Sequence, residues 1–174
     1  MSEHWLSLAK IPAEGRDFSF AEQSIWTDPI REFSLPYRIV EPLEATLHVT
    51  PHKKGCYVRG HLTGAVEVPC DRCTRPTLVP LDHAFEVHES LDDQDGELDS
   101  TLLRMNGDIM ELDVAGLLWE QLLLALPSKP LCREDCLGLC PVCGQDLNVA
   151  ACECPAEQGD PRLDVLKNLT IGKK

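Results

Sequence analysis

Between Cys132 and Cys154 the chain reads CREDCLGLCPVCGQDLNVAACEC, six cysteines in twenty-three residues. Thiols at that density make either a disulfide framework or a metal site, and the two imply different redox compartments. The sharpest signal is Cys140-Pro-Val-Cys143-Gly144. Two cysteines with two residues between them, proline after the first and glycine after the second, suit a tight knuckle. Such a knuckle aims both sulfurs at one ion while backbone N–H groups help neutralise them. A closed structural Zn²⁺ site takes about four ligands, so Cys140 and Cys143 need two more from Cys132, Cys136, Cys152 and Cys154. Two arrangements are open: the compact run Cys132-x3-Cys136-x3-Cys140, or the small ribbon Cys140-x2-Cys143-x8-Cys152-x-Cys154. An iron–sulfur cluster and oxidised pairs are the alternatives to zinc. The segment has no histidine, and an all-thiolate shell is a poor Lewis acid, so the ion is read as structural and not catalytic.

Cys70-Asp-Arg-Cys73 has the same two-residue gap. It is either half of a second metal site, completed by surplus thiols from the C-terminal segment, or a reduced pair in a turn. Thiol–disulfide exchange would require a thiolate held at a helix N-terminus, and this pair lies between strand-like segments. Cys56 stands alone at a strand start and reads as a small buried apolar residue. Arg72, Arg75, Lys129 and Arg133 flank the cysteines. They serve as partners for acids or thiolates, or they form the one basic face able to meet RNA or an acidic partner. The six histidines carry no ligand spacing, and no Gly-rich phosphate loop, Gly-x-Ser-x-Gly or HExxH occurs. No enzyme site and no small-molecule substrate are expected.

The elements that must position these cysteines are legible in the periodicity. The first thirty-odd residues suggest one or two short strands and a loop. From Leu43 the pattern alternates, Pro51–Gly55 supplies a turn, and Cys56 to Val68 forms a longer strand whose glycines mark a bulge. Thr77 to Glu89 alternates again, which places Cys70-Asp-Arg-Cys73 at the tip between two antiparallel strands. The acidic stretch from Glu86 to Asp99 reads as a solvated loop, with a docking site for a basic partner as the sharper alternative. Asp108–Leu112 is a short strand, and Asp113 caps a helix from Val114 to about Leu126 that Pro127 stops. That helix is apolar almost all round and should cover the sheet. Asp160-Pro161 opens a short terminal helix, followed by a basic tail.

Twenty-nine acidic against sixteen basic residues leave a formal charge of −13 over 174 residues. Such a body is repelled by nucleic-acid phosphates, so a basic protein is the easier partner. No secretory signal and no membrane-length apolar run are visible, which points to a cytoplasmic protein whose clustered thiols stay reduced.

The order of features resembles the YceD family, the large ribosomal RNA subunit accumulation proteins of bacteria and plastids. The residues that carry the likeness are Cys70-Asp-Arg-Cys73, the helix Leu112 to Pro127, and the run Lys129 to Gly144. Asp146-Leu-Asn148 and Asp160-Pro-Arg-Leu complete it. The resemblance runs from about Val40 to the end. It implies a non-enzymatic role in accumulating large-subunit ribosomal RNA, and the acidic charge makes an assembly factor that binds a ribosomal protein or an assembly intermediate the first expectation, with direct rRNA contact left open. A thiol-based redox enzyme or sensor using Cys70 and Cys73, or a zinc-stabilised adaptor unrelated to ribosomes, are the rival readings. The expected fold is α+β: an antiparallel sheet, flat or barrel-like, covered by one buried helix. Residues 1–127 make the β-rich domain, 128–156 a cysteine-rich zinc module, and 157–174 a terminal helix and basic tail.

Overall fold

Alternating apolar and polar residues decide the largest part of the architecture, as the computed structural model of residues 4–91 and 102–155 shows. In chain order the elements are β1 (Trp5–Ser7), a 3-10 turn at Leu8–Lys10, β2 (Arg16–Phe20), α1 (Ser24–Glu32) and β3 (Arg38–His52). Then come β4 (Gly55–Pro69), β5 (Pro76–Ser90), β6 (Leu103–Asn106), β7 (Ile109–Asp113) and α2 (Val114–Ala125). Antiparallel pairing builds two sheets, one ordered β2-β3-β4-β5 and the other β1-β7-β6. Among the described residues no ladder joins β2 to β5, so the large sheet is open; the barrel-like closure is not what forms. The bulge expected near the β4 glycines sits on the facing strand, where the β3–β4 register shifts between Ile39 and Glu44.

One face of the large sheet is buried and the other meets solvent, as period two dictates. Leu43, Ala45, Leu47 and Val49 of β3, Val58, Leu62, Val66 and Val68 of β4, and Leu81 and Phe85 of β5 enter one continuous core. The solvent face carries cross-strand pairs instead: Asp17–His48, Arg59–Glu86 and His61–Asp82. Exposed pairs of this kind contribute little, about 0–1 kcal/mol each.

Two helices cover this core where one was expected. The second of them, α2, inserts Val114, Leu117, Leu118 and Leu122, while Leu123 and Leu124 stay exposed. Its N-terminus is fixed as the sequence requires, with the Asp113 carboxylate accepting from Gly116 N–H at 3.0 Å. Asp113→Ala should therefore cost about 1 kcal/mol, lowering Tm by roughly 2–4 °C in a chain of this size, as thermal unfolding would read. The additional helix, α1, packs against α2 and buries Ile25 and Trp26 in the core. The acidic stretch begins as the end of β5 at Glu86–Ser90, and its part from 92 to 99 lies outside the described residues. So does the helix expected from Asp160. Among the described residues no helix is long and apolar enough to cross a membrane.

Candidate metal centres

Eight cysteines gather into two groups of four. Cys70, Cys73, Cys132 and Cys136 form the first; Cys140, Cys143, Cys152 and Cys154 form the second; within each group the sulfurs all lie within 4.8 Å of one another. Four of the six C-terminal cysteines supply one group, in the ribbon arrangement, and the surplus two complete a second with Cys70 and Cys73 at the tip of the β4–β5 hairpin. Cys140 belongs to the ribbon, so the compact Cys132–Cys136–Cys140 run does not form.

The two CxxC turns share one backbone design. In the first, Cys70 N–H donates to Arg75 C=O at 2.8 Å and Thr74 N–H donates to Cys70 C=O at 2.9 Å. In the second, Cys140 N–H donates to Gln145 C=O at 2.8 Å and Gly144 N–H donates to Cys140 C=O at 2.9 Å. The residue after the second cysteine takes the left-handed conformation in both, Thr74 at φ 61° and Gly144 at φ 73°. Glycine adopts that freely; a β-branched residue is strained there by roughly 1–2 kcal/mol. Thr74 is held nonetheless, its hydroxyl donating to Cys73 C=O at 2.7 Å.

The separations suit an ion. Sulfurs about 2.3 Å from one tetrahedral Zn²⁺ stand about 3.8 Å from each other. Cys70 and Cys136 sulfurs are 3.8 Å apart, and those of Cys73 and Cys132 are 3.5 Å apart. A disulfide would need about 2.0 Å. A multi-iron cluster would have to spread its four thiolates further than this to fit between them. Both tetrads can hold a metal ion.

Proton affinities follow from the same geometry. Burial works against charge on Cys70, but N–H groups of Cys132, Cys73 and Arg72 outweigh it and draw the thiol down to about 6. Backbone donors at Cys143 and Val142 draw Cys140 to about 6 as well. Cys132 is pushed up to about 12 by burial and its neighbouring thiols, and Cys154 to about 12 by Cys143 and burial. In each centre one thiol is thus drawn down while two neighbours are pushed up, Cys73 and Cys132 beside Cys70, Cys152 and Cys154 beside Cys140. A divalent cation removes that conflict and lets all four sulfurs ionise. Cys56 differs: it is fully buried in the core, and burial pushes its thiol to about 12, as expected of an inert residue.

The flanking arginines turn inward to the module. Arg72 donates to Cys136 C=O at 2.6 Å, and Arg75 grips the Asp146 carboxylate through Nε at 2.9 Å and a second nitrogen at 2.5 Å. Arg133 pairs with Asp135 at 3.2 Å and donates to Asn148 Oδ1 at 3.0 Å; Lys129 is exposed. Asp146 and Asn148 are the functional residues that spacing does not reveal. Asp146 accepts from Asn148 N–H at 2.9 Å, and Asn148 in turn accepts from Leu137 N–H at 2.8 Å and reaches the Cys136 sulfur at 3.5 Å. This relay ties the ribbon to the first centre. Backbone contacts add to it: Asp71 N–H donates to Pro130 C=O at 2.9 Å and Leu139 N–H to Arg72 C=O at 3.0 Å. Gly138 is required by close approach, since a Cβ there would lie 2.9 Å from Arg72 C=O.

Arg75, then the Asn148 N–H, holds the Asp146 carboxyl below its ordinary range. A depressed folded value means that this contribution is complete above about pH 4 and is lost only as pH falls through the lowered value. Asp146→Ala should weaken metal binding about 10–100-fold, read by competition against a chromophoric chelator at neutral pH, and Asp146→Asn should lose less.

Comparison with known proteins places these residues in a family. A family model described as "Large ribosomal RNA subunit accumulation protein YceD" matches residues 58–170, more than half of the chain and all eight tetrad cysteines. Two proteins named only as uncharacterised, from Mycobacterium bovis and Mycobacterium tuberculosis, are each 31% identical over 111 residues, 60% of this chain and 51% of theirs. The chain thus spans about half the length of the curated relatives it matches. No solved structure matches.

Proposed function

The chain belongs to the YceD family of large ribosomal RNA subunit accumulation proteins, and from that premise we propose that it is a non-enzymatic factor of large ribosomal subunit biogenesis. It supports 23S rRNA synthesis, processing or accumulation by binding a ribosomal protein or an assembly intermediate in the cytoplasm. The observation that carries this reading is the family match across the whole of both cysteine tetrads.

Zn²⁺ is the ion we assign to both centres. Four thiolates complete its tetrahedron and leave no open position for a substrate, so its part is to hold backbone in place. With each loaded centre adding a charge of about −2, the body becomes more acidic than its formal −13. A basic protein is attracted to such a surface and RNA is repelled, so rRNA is reached through the protein partner. The rival redox reading needs a thiol that an external partner can reach, and Cys70 and Cys73 are both buried. They sit in a hairpin turn, shared with two further thiols.

Depletion of the protein from cells tests the proposal. Large-subunit rRNA should fall relative to small-subunit rRNA, with large-subunit precursors accumulating on sucrose gradients. An unchanged ratio would overturn the assignment.

A further inference from the structure

The ribbon that carries the second centre exposes aliphatic side chains where a structural module would be expected to be polar. Leu137 is 64% exposed, Val142 60% and Val149 73%. They are not on a loose loop. Leu147 N–H donates to Gly138 C=O at 3.0 Å, Leu139 pairs with Asp146, and Asn148 holds the Leu137 N–H. Val142 rides the tip of the second CxxC turn, where its N–H meets the Cys140 sulfur at 3.4 Å. A surface fixed in advance loses little freedom on binding, which favours a docking role.

Charge says what docks. Glu134, Asp135 and Glu153 are exposed on the same segment, and Asp71 is exposed on the hairpin turn that faces it. Of the nearby cations, Arg75 and Arg133 are paired with the Asp146 and Asp135 carboxylates, while Arg72 donates to Cys136 C=O and keeps its charge. Lys129 is the remaining cation of the cysteine segment. Two thiolate-rich centres beneath add further negative charge when loaded. Phosphates are repelled by such a face, whereas lysine- and arginine-bearing chains with aliphatic groups are complementary to it.

We propose that Leu137, Val142 and Val149, with the surrounding carboxylates, form a docking surface for a basic, aliphatic-bearing segment of a protein partner. The inference rests on the biogenesis reading above and names the face through which that partner is held.

The test uses the full zinc-loaded chain and three fluorescent probes of equal length: a peptide of leucine and lysine, a peptide of serine and lysine with the same charge, and a single-stranded RNA. The Leu/Lys peptide should bind about ten-fold more tightly than the Ser/Lys peptide, since a few anchoring side chains dominate such interfaces, and RNA should bind most weakly. Leu137→Ser, Val142→Ser and Val149→Ser together should abolish that preference while leaving zinc content and the Ser/Lys affinity unchanged. Glu134→Gln with Glu153→Gln should weaken both peptides. A triple variant that keeps the preference, or RNA that binds as tightly as the Leu/Lys peptide, would overturn the surface. In depleted cells, the triple variant should fail to restore large-subunit rRNA where the wild-type chain restores it. Restoration by the triple variant would sink the surface and leave the biogenesis role standing. An rRNA ratio indifferent to depletion would instead sink the biogenesis role.

Discussion

Serine at both Cys70 and Cys73 should yield a chain that binds one Zn²⁺ ion in place of two and releases the cysteine segment from the end of the sheet. These two thiols contribute half the ligands of the first centre, and the rest of that centre is Cys132 and Cys136. Cys70, Cys73 and Cys136 form a small buried cluster of their own, packed by Leu131 and Cys132 and separate from the main core. A closed zinc site contributes an apparent ~10–16 kcal/mol, far more than hydrogen bonds such as Arg72 to Cys136 can replace at about 1 kcal/mol each. The main core around Trp26, Leu43, Leu62 and Leu118 does not depend on it. Native mass spectrometry should therefore count one ion. Limited trypsin digestion should cut after Arg133 while the sheet and helices survive. Two bound ions, or a wholly unfolded chain, would contradict this division.

Serine at Cys140 and Cys143 should also cost one ion, with a narrower effect. The second centre is built within a single short segment, and its cysteines are more open: Cys143 is exposed, Cys152 and Cys154 are half-buried, and Cys140 alone is buried. In the first centre three of four are buried. Exposed sulfur meets a competing chelator or an oxidant directly, so the wild-type chain should surrender its two ions in distinct phases, the ribbon's first. The Cys140→Ser, Cys143→Ser chain should keep only the slow phase, and the Cys70→Ser, Cys73→Ser chain only the fast one. Thermal unfolding of the core should hardly move in the Cys140→Ser, Cys143→Ser chain. The order of release, followed with a colorimetric zinc chelator, checks this. Equal rates would contradict it.

How far these centres could be read in advance follows from which residues are neighbours in sequence. Cys140 and Cys143 were legible because both sulfurs, the proline and the glycine fall in five consecutive positions. The hairpin that carries Cys70 and Cys73 was legible from period two on either side, and Asp113 was legible as a cap because the helix pattern begins at the next residue. That surplus C-terminal thiols could join Cys70 and Cys73 was one open option; which ones, Cys132 at 59 residues from Cys73 and Cys136 at 66 from Cys70, was not legible. It depends on how the chain passes through α2 and returns to the sheet, which local spacing does not encode. The same holds for Arg75 and Asp146, 71 residues apart. Asp146 and Asn148 carry no spacing signal at all, since their part is set by what they touch. Helix α1 escaped notice for another reason: Asp28 and Pro29 interrupt the helical pattern of Ser24–Glu32, and burial of Ile25 and Trp26 in the core overrides that poor propensity.

The central claim is that reduced thiolates in two separate tetrads each grip an ion and thereby hold the cysteine segment in shape. Native mass spectrometry of chain purified without chelator, with thiol counting by alkylation after denaturation, tests it directly. Two Zn²⁺ ions per chain and every cysteine recovered as free thiol is the predicted result. A chain carrying no metal, with Cys140, Cys143, Cys152 and Cys154 recovered as disulfides, would contradict it.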